Sequence, residues 1–454
     1  MPKPTLPSGT RDFNAETIRK RNYILQTIRQ VFELYGFEPL ETPAMENLDT
    51  LLGKYGEEGD KLIFKILNNG ISDPKNIDKS KTAFENVLQG KSDRNLTERA
   101  LRYDLTIPFA RYVAMNHNQL AMPFRRYQIQ PVWRADRPQK GRYREFLQCD
   151  ADVVGSQSLQ NEVELSFIYA QVFEQLGINV SIRINSRKIL LALAELCGGA
   201  DKMNAISIAI DKLDKIGLDK VKEELLQRGL TSNHVTMVER YLDIKGDNAQ
   251  QLEKLKNLLG ANVNGAAGIA ELEYVLQAQP GRWKERVVTD FTLARGLNYY
   301  TGIIFEVKAN NVQMGSIGGG GRYDDLTGLF GVPNIPGVGI SFGVDRIYDV
   351  MEELMLFPEN IHTGTEVLFL NIGPAESDLA FKWVQTLREK KVRCELYPEA
   401  AKLDKQFKYA ENKGIIYTVR INNADALEAT LKNIRSGEQW QVMLDLLPEL
   451  LSKK

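Results

Sequence analysis

The feature that most constrains the fold of this chain is a charged loop between two segments in which polar and apolar residues alternate. Apolar residues alternate from Tyr127 to Trp133, and polar and apolar residues alternate from Gln148 to Val154, as in half-buried β-strands. The segment between them, residues 134–146, holds five cations, two carboxylates and two aromatic rings around Gly141. The sequence therefore predicts a β-hairpin whose tip is this charged loop.

The charged loop, residues 134–146, has two interpretations. Guanidinium groups suit a polyphosphate and an aromatic ring can stack on a flat base, so the loop is a candidate nucleotide site. Alternatively it is a solvated basic hairpin, since charge runs usually face water. The common nucleotide motifs are absent, because Glu85 stands where a P-loop needs glycine and Phe342 ends a dinucleotide-like pattern early. A nucleotide would therefore be held by side chains on a sheet.

The composition is that of an ordinary globular protein. A length of 454 residues suggests two or three domains. The formal net charge is −1, so RNA binding would require local basic patches. No apolar run approaches the ~20 residues of a membrane span, and the first residues lack the apolar core of a secretion signal. The three cysteines lie too far apart for a zinc site or a disulfide framework, which predicts a reducing, cytoplasmic location.

Periodicity divides the rest of the chain into blocks. Before the hairpin it predicts a helix from Ala15 to Tyr35, an extended edge strand over residues 36–43 and a polar surface insertion over residues 68–96, with one helical turn or more from Phe84 to Leu88. A helical pattern follows within residues 101–116.

After the hairpin the pattern changes from helical to alternating. We expect a helix, a strand, a long helical block and two more strands, over residues 159–176, 182–185, 186–280, 287–293 and 303–307. The helical block is thus an insertion between two halves of one sheet domain. A glycine-rich strand over residues 337–343 runs into a helix near Val344. Beyond a linker at 357–364, strands and helices alternate, which favours a small, mainly parallel sheet.

Five segments carry a family resemblance. Residues 36–43, 132–146 and 337–346 resemble motifs one, two and three of class II aminoacyl-tRNA synthetases. Arg-Gly-Leu-Asn-Tyr-Tyr at 295–300 and Gly-Gly-Arg-Tyr-Asp at 320–324 resemble the two signatures of histidyl-tRNA synthetases, and the resemblance to that family covers nearly the whole chain. Two positions depart from the pattern: Asn298 replaces the usual aspartate, and Asp136 replaces a glutamate that many class II members carry.

The resemblance implies an α+β fold: a class II antiparallel sheet flanked by helices, with a helical insertion and a C-terminal α/β anticodon-binding domain. The implied domains are the catalytic domain in two parts, 1–185 and 281–360, the insertion, 186–280, and the anticodon-binding domain, 364–454. Because motif one is associated with the dimer interface in this class, a homodimer is expected.

The resemblance also implies a histidine–tRNA ligase. Such an enzyme activates L-histidine with ATP to histidyl-adenylate and pyrophosphate, then transfers histidine to the 3′ end of its tRNA. ATP is a substrate and Mg²⁺ is expected with it. The metal ligands stay unknown: Glu145 and Glu306 are candidates, and an ordinary salt bridge is an equal alternative for each.

The matching positions give three sets of expected site residues. The catalytic cations are Arg134 near the α-phosphate and the amino-acid carboxylate, Arg295 at the α-phosphate, and Arg346 toward the γ-phosphate. The expected ATP-binding residues are Arg134, Arg142, Tyr143, Glu145, Phe146 and Arg346. The expected histidine-binding residues are Asp104, Leu105, Thr106, Gln148, Asp152, Arg295, Tyr299 and Tyr300. A neutral imidazole has one donor and one acceptor nitrogen, so Asp152 can accept from the first and either tyrosine can donate to the second.

Two other functions are alternatives to a histidine–tRNA ligase. One is a catalytically idle synthetase-like regulatory subunit of ATP phosphoribosyltransferase, and the other is an RNA-binding or kinase-regulatory module on the same fold. Both are expected to lose the ATP-site arginines, yet Arg134, Arg295 and Arg346 are all present, as is the last α/β stretch. The enzyme is therefore favoured.

Overall fold

The computed structural model describes residues 3–52, 59–294, 299–358, 361, 364–423, 425 and 427–452. The chain forms two units, Met1–Asp12 with Arg21–Leu356 and Phe13–Lys20 with Phe357–Lys454. The first unit contains an eight-stranded and a three-stranded sheet, and the second contains a five-stranded sheet. Within these described ranges, no helix combines the length and the apolar character that crossing a membrane requires.

The first part of the chain builds a long helix, the hairpin and several short strands. Its elements are α1 (Ala15–Leu34), β1 (Glu38–Pro39), β2 (Met45–Asn47), α2 (Leu48–Leu51), β3 (Lys65–Ile66), α3 (Ile77–Leu88), β4 (Arg99–Leu101), α4 (Thr106–Asn116), β5 (Phe124–Trp133), β6 (Glu145–Val154), α5 (Gln160–Gln175) and β7 (Val180–Ser186). Helix α1 ends before Gly36, whose φ of +75° is a left-handed conformation that favours glycine. Helix α3 contains the helical segment predicted from Phe84 to Leu88 and begins earlier, at Ile77, and Ala83 on it is fully buried.

The predicted hairpin is present. Strands β5 and β6 pair antiparallel from Phe124↔Val154 to Trp133↔Glu145. One face of this hairpin is apolar and packs against α1, where the rings of Phe32 and Tyr127 lie 5.6 Å apart. The alternation in sequence therefore assigned a helix-covered face and a polar face to each strand.

A run of helices separates the two halves of the large sheet. These helices are α6 (Arg187–Leu196), α7 (Met203–Asp211), α8 (Leu213–Ile216), α9 (Leu218–Gln227), α10 (Ser232–Leu242), α11 (Asn248–Leu259) and α12 (Val263–Gln277). Thr231 and Asp247 begin α10 and α11 with capping boxes, which satisfy backbone N–H groups at the helix start. The remaining elements of the first unit are β8 (Val287–Thr289), β9 (Ile303–Ala309), β10 (Gly318–Tyr323), β11 (Gly337–Gly343) and α13 (Val344–Glu353).

The eight-stranded sheet has the order β1-β5-β6-β11-β10-β9-β7-β8. Its neighbours are antiparallel except for the pairs β1/β5 and β7/β8, and β1 is an edge strand as predicted. The expected class II architecture is confirmed by this sheet and by the structural comparison given below. Strand β8 is shorter than predicted, because Asp290 Oδ1 accepts a hydrogen bond from Thr292 N at 2.9 Å and turns the chain.

The second unit contains β12 (Val367–Phe369), α14 (Pro374–Glu389), β13 (Cys394–Leu396), α15 (Leu403–Asn412), β14 (Tyr417–Asn423), β15 (Glu428–Asn433), β16 (Gln439–Met443) and α16 (Leu447–Ser452). The sheet order is β13-β12-β14-β15-β16. The prediction of a mainly parallel sheet is wrong: β12 pairs in parallel with β13 and β14, but β14/β15 and β15/β16 are antiparallel. The last two strands were not predicted. Gln-Trp-Gln-Val-Met of β16 does alternate polar and apolar residues, but this strand is almost wholly exposed.

Candidate active site

Two rows of directly opposed residues cross the polar face of the large sheet. The first row is Arg126, Asp152, Gly339, Gly321 and Ile304, and the second is Gln128, Asp150, Ser341, Gly319 and Glu306. Opposed residues in adjacent strands point to the same side, so these rows form one surface, here called the site floor. Gln130, Gln148 and Gly343 continue it toward the charged loop.

Helices α1 and α5 cover the face of the sheet opposite the site floor. The ring of Phe342 on β11 lies 5.8 Å from Phe32 of α1 and 4.8 Å from Tyr169 of α5. Tyr169 also donates a hydrogen bond to the backbone oxygen of Ser341 at 3.0 Å. The polar side chains therefore face away from these two helices, on the side where a ligand can bind.

Glycines let other groups approach the centre of the site floor. A Cβ atom on Gly339 would lie 2.0 Å from Asp152 Oδ1, and one on Gly321 would lie 2.9 Å from Tyr300 Cδ1. Both distances are far below van der Waals contact, so a side chain at either position would displace its neighbour. The glycine-rich strands thus make room for the Asp152 carboxylate and the Tyr300 ring.

A buried ion pair lies at the centre of the site floor. Asp152 Oδ2 is 2.8 Å from Arg126 Nη2, and Tyr323 donates its hydroxyl to Asp152 Oδ1 at 2.5 Å. Burial raises the pKa of Asp152, while Arg126 and the hydrogen bond from Tyr323 oppose that rise. Burial also raises the pKa of Asp150 to about 7, again opposed by Arg126.

Several buried atoms of the site floor lack hydrogen-bond partners within the described ranges. They are Arg126 Nε and Nη1, Gln128 Oε1, Gln148 Oε1 and Asp150 Oδ1. Buried polar groups in native proteins are normally satisfied. This concentration of donors and acceptors on one surface indicates a site built for a small polar ligand.

The start of α4 contributes the next group. Asp104 Oδ1 accepts a hydrogen bond from Ile107 N at 3.1 Å, and Asp104 Oδ2 accepts one from the Tyr299 hydroxyl at 3.4 Å. The side chain of Leu105 is fully buried, and its backbone oxygen accepts from Arg126 Nη2 at 3.4 Å. Leu105 therefore reaches the site through its backbone alone, whereas Thr106 is the first residue of α4.

Arg134 lies between two rings at the entrance of the charged loop. Its Cζ is 4.2 Å from the ring centroid of Tyr103 and 5.2 Å from that of Phe146, and its Nε donates to Tyr103 O at 3.0 Å. Phe146 points to the same side of β6 as Gln148. The structure therefore brings Arg134 and Phe146 together beside the site floor.

The other expected nucleotide residues lie along the charged loop. Arg142 Nη2 forms an ion pair with Asp136 Oδ1 at 2.8 Å, and the Tyr143 ring stacks on Arg11. Glu145 is exposed at the start of β6, where alternation points it away from the side of Phe146. The structure thus does not bring Glu145 to the site floor.

Arg346 holds the tip of the charged loop. Its Nε donates to Gly141 O at 2.8 Å and its Nη1 donates to Ser316 O at 2.7 Å. Arg346 lies in the first turn of α13, which connects this helix to the loop. Arg295, with Gly296 to Asn298, lies outside the described residues.

Comparison with known proteins decides the family. The sequence profile described as "Histidyl-tRNA synthetase" matches residues 78–347, and the one described as "Anticodon binding domain" matches residues 366–454. A protein of Porphyromonas gingivalis named "Histidine--tRNA ligase" is 51% identical over 450 residues, which is 98% of both chains. This chain belongs to the histidyl-tRNA synthetase family. A protein of the same name from Christiangramia forsetii is 51% identical over 96% of both chains.

Solved structures agree with this family assignment. The crystal structure of histidyl-tRNA synthetase from Nostoc sp. PCC 7120 has a TM-score of 0.79 and 32% identity, and 99% of each chain is covered. A Bacillus halodurans structure described as an ATP phosphoribosyltransferase regulatory subunit/histidyl-tRNA synthetase has a TM-score of 0.69 at 20% identity. The second likeness shows the fold alone, so the fold does not separate a synthetase from such a regulatory subunit.

The structure adds residues that the motif-based prediction for this synthetase family member missed. Arg126, Asp150, Tyr323 and Ser341 all face the expected histidine residues. The signal for two of them was present, because polar residues at 126, 128 and 130 alternate in step with those at 148, 150 and 152. Tyr323 and Ser341 required the register of β10 and β11, which the local pattern does not give.

A magnesium site can be tested against the residues present. Within the described ranges, no group of three or more His, Cys, Asp and Glu side chains could hold a metal. Mg²⁺ bound with nucleotides usually needs only one or two carboxylates, because phosphates and water supply the other ligands. Glu306 lies on the site floor and is 7% exposed, so it can offer one carboxylate. Lys308 Nζ lies 3.6 Å from its Oε2, which is the ordinary ion pair given as the alternative for this residue.

Proposed function

We propose that this protein is a histidine–tRNA ligase whose active site is the site floor and the adjoining charged loop. It joins L-histidine to ATP as histidyl-adenylate, releases pyrophosphate, and transfers histidine to the 3′ end of its tRNA. The observation that carries the proposal is the common placement of Gln148, Asp152 and Phe146 on one face of β6, beside Arg134. Full-length similarity at about half identity to histidine–tRNA ligases supports the same activity.

Histidine binds over Gly339 and Gly321 of the site floor. Asp152 accepts the imidazole N–H, since a carboxylate has lone pairs beyond those used by Arg126 and Tyr323. Tyr300 donates to the other imidazole nitrogen, and Tyr299 supports Asp104. Burial and the nearby carboxylate of Asp152 raise the pKa of Tyr300, which keeps its hydroxyl protonated and able to donate.

The α-ammonium group of histidine binds between the start of α4 and Gln148 of the site floor. Asp104, Thr106 and Gln148 supply acceptor oxygens there. Leu105 contributes only backbone, as its side chain is in the core. Arg295 is proposed from the family signature to reach both the histidine carboxylate and the α-phosphate.

ATP binds along the charged loop. Phe146 stacks on adenine, Arg134 contacts the α-phosphate, and Arg346 contacts the γ-phosphate. Arg142, Tyr143 and Glu145 line the same loop and complete the proposed ATP set. A guanidinium has five N–H donors, so Arg346 can donate to a phosphate as well as to Gly141 O and Ser316 O.

Activation is an in-line displacement at the α-phosphorus by the histidine carboxylate. Negative charge builds up on the phosphate oxygens, and positioned cations stabilise it. Guanidinium groups suit this task because they remain protonated and present a planar fork. Magnesium, when bound with ATP, neutralises charge on the outer phosphates.

The domains divide the work. Residues 1–185 and 281–360 catalyse, residues 186–280 form the helical insertion, and residues 364–454 bind the anticodon region of the tRNA. The protein acts as a homodimer, supported by the motif-one resemblance of residues 36–43. It acts in the cytoplasm, supported by three buried cysteines that form no disulfide.

Amino-acid-dependent pyrophosphate exchange tests the proposal. The protein should exchange pyrophosphate into ATP with histidine and not with the other amino acids, and should charge histidine-specific tRNA. A protein that showed no exchange but stimulated an ATP phosphoribosyltransferase would instead be the idle regulatory subunit. Exchange driven by another amino acid would contradict the assignment of Asp152 and Tyr300.

A further inference from the structure

The segment before α1 is bonded to the charged loop at several points. Gly9 O accepts from Arg144 N at 2.9 Å, and Ser8 O accepts from Arg144 Nη1 at 3.3 Å. Gly9 has φ of +85°, and a Cβ atom on it would lie 2.8 Å from Arg144 Cγ, so this close approach requires glycine. Arg144 Nε also donates to Asp136 O at 3.1 Å. Arg144 thus joins the loop to the N-terminal turn.

Arg11 extends this junction to an aromatic ring and to α13. Its Cζ lies 3.2 Å from the ring centroid of Tyr143, and its Nη2 forms an ion pair with Asp345 Oδ1. A guanidinium over a ring gains cation–π attraction, which strengthens as the group is desolvated. The Arg11 side chain is 25% exposed and that of Asp345 is 6% exposed, so the contact is largely shielded from solvent.

The Asp345 carboxylate accepts hydrogen bonds from three parts of the chain. Besides Arg11, it accepts from Arg21 Nη1 at 2.5 Å and from Leu147 N at 3.3 Å. Its neighbour in sequence is Arg346, which binds the loop tip through Gly141 O. The N-terminal segment, β6 and α13 therefore meet at one buried carboxylate.

This junction lies beside the residues that are proposed to bind the nucleotide. Tyr143 follows Arg142 in the charged loop, and Phe146 follows three residues later. Arg346 lies on α13, immediately after Asp345. Arg11 contacts both the Tyr143 ring of the charged loop and the Asp345 carboxylate of α13. It therefore links the ATP-binding residues of the loop to Arg346 of α13.

We propose that Arg11 is a positioning residue for the nucleotide site, holding the charged loop against α13 in the arrangement that binds ATP. The inference rests on the proposed function for the identity of the nucleotide. A planar guanidinium stacks on the Tyr143 ring and pairs with the Asp345 carboxylate at the same time, whereas an ammonium group keeps only the charge.

The test compares Arg11→Ala and Arg11→Lys with the matched control Lys3→Ala, an exposed cation of the same segment. ATP dissociation constants are measured by titration calorimetry, and KM values for ATP and histidine by pyrophosphate exchange. For Arg11→Ala we expect both ATP constants to rise about tenfold, which corresponds to ~1.4 kcal/mol. Arg11→Lys should lie between that variant and wild type, and Lys3→Ala should match wild type.

A double-mutant cycle separates positioning from general destabilisation. If Arg11 acts through Tyr143, Arg11→Ala should change ATP affinity by less than about twofold in a Tyr143→Leu background. An unchanged ATP dissociation constant in Arg11→Ala would overturn the proposal. So would an equal rise in the KM values for ATP and histidine accompanied by a lower Tm.

The outcome is distinguishable from failure of the proposed function. If wild type exchanged pyrophosphate with an amino acid other than histidine, the function would be wrong, yet the ATP titrations would still test Arg11. If wild type bound no ATP, both proposals would be overturned.

Discussion

Asp152 and Arg126 form an ion pair that is almost wholly buried, with 2.8 Å between Oδ2 and Nη2 and side-chain exposures of 3% and 0%. Tyr323 bonds the other carboxylate oxygen at 2.5 Å. Buried ion pairs add little net stability because desolvation offsets their attraction. Here the pair holds the Asp152 carboxylate in one orientation on the site floor, where we propose that it accepts an imidazole N–H.

Asp152→Asn is expected to impair histidine recognition more than ATP binding. The amide keeps the size of the carboxylate, but it removes the charge facing Arg126 and one acceptor. A site that pairs both imidazole nitrogens discriminates by up to ~10⁴-fold, so we expect the KM for histidine to rise by about a hundredfold or more. Pyrophosphate exchange at saturating ATP measures it, with the exposed Asp425→Asn as control. Wild-type histidine KM in Asp152→Asn would contradict the assignment.

Gly339→Ala should displace the Asp152 carboxylate by sterics alone. The added Cβ would lie 2.0 Å from Oδ1, so the side chain must move and histidine affinity must fall, by about tenfold or more if the shift costs ~1.4 kcal/mol. Gly281→Ala is the control, since a Cβ atom on this glycine, which lies outside the site floor, would meet no other atom within 4 Å. Equal KM values for histidine in the two variants would refute the steric argument.

The hairpin is the part of the fold that the sequence alone predicted best. Alternation alone predicted a hairpin of residues 127–133 and 148–154. Strand β6 begins earlier, at Glu145, so Phe146, which was assigned to the loop, shares a face with Gln148 and Asp152. The family resemblance predicted the class II fold and the ligase function, and both are confirmed by the comparisons. The site residues stay predictions, with Arg295 among residues that the structure does not describe.

What the sequence could not give is register between distant strands. Tyr323 reaches Asp152 only because β6, β11 and β10 align Asp152, Gly339 and Gly321 in one row. Such pairings join residues far apart in the chain, and local periodicity carries no information about them. Strand β16 was missed although Trp440 and Val442 alternate with glutamines, because it is a short, exposed strand at the edge of its sheet.

Asp150 predicts a pH dependence of stability. Burial raises the pKa of this carboxyl from 3.8 to about 7, so the folded state binds a proton more tightly than the unfolded state does. Its contribution to the free energy of unfolding is therefore present below pH 3.8 and is lost as pH rises toward about 7. Asp150→Asn should remove that loss, so its Tm should gain on wild type as pH rises from about 4 to about 7. Thermal unfolding curves that shift in parallel with pH would contradict this.

Arg295→Ala should abolish most activation while leaving ATP affinity largely intact. The family signature places this cation at the α-phosphate, where charge grows in the transition state. An interaction made mainly there lowers kcat and kcat/KM together, and we expect a loss of about 10²-fold or more. Pyrophosphate exchange and ATP calorimetry measure the two effects separately. Near-normal exchange in this variant would refute the role.

Substitutions in a basic cavity of the second unit are expected to weaken tRNA charging without affecting the activation of histidine. The cavity has a volume of about 440 Å³, and its lining includes Arg388, Lys391 and Arg393. Anticodon recognition depends on phosphate contacts as well as unstacked bases. Lys391→Glu should therefore raise the KM for tRNA by about tenfold, reduce the salt dependence of charging, and leave pyrophosphate exchange unchanged. Lys75→Glu, an exposed charge reversal in the first unit, is the control. Equal loss in both variants would show a general effect of net charge instead.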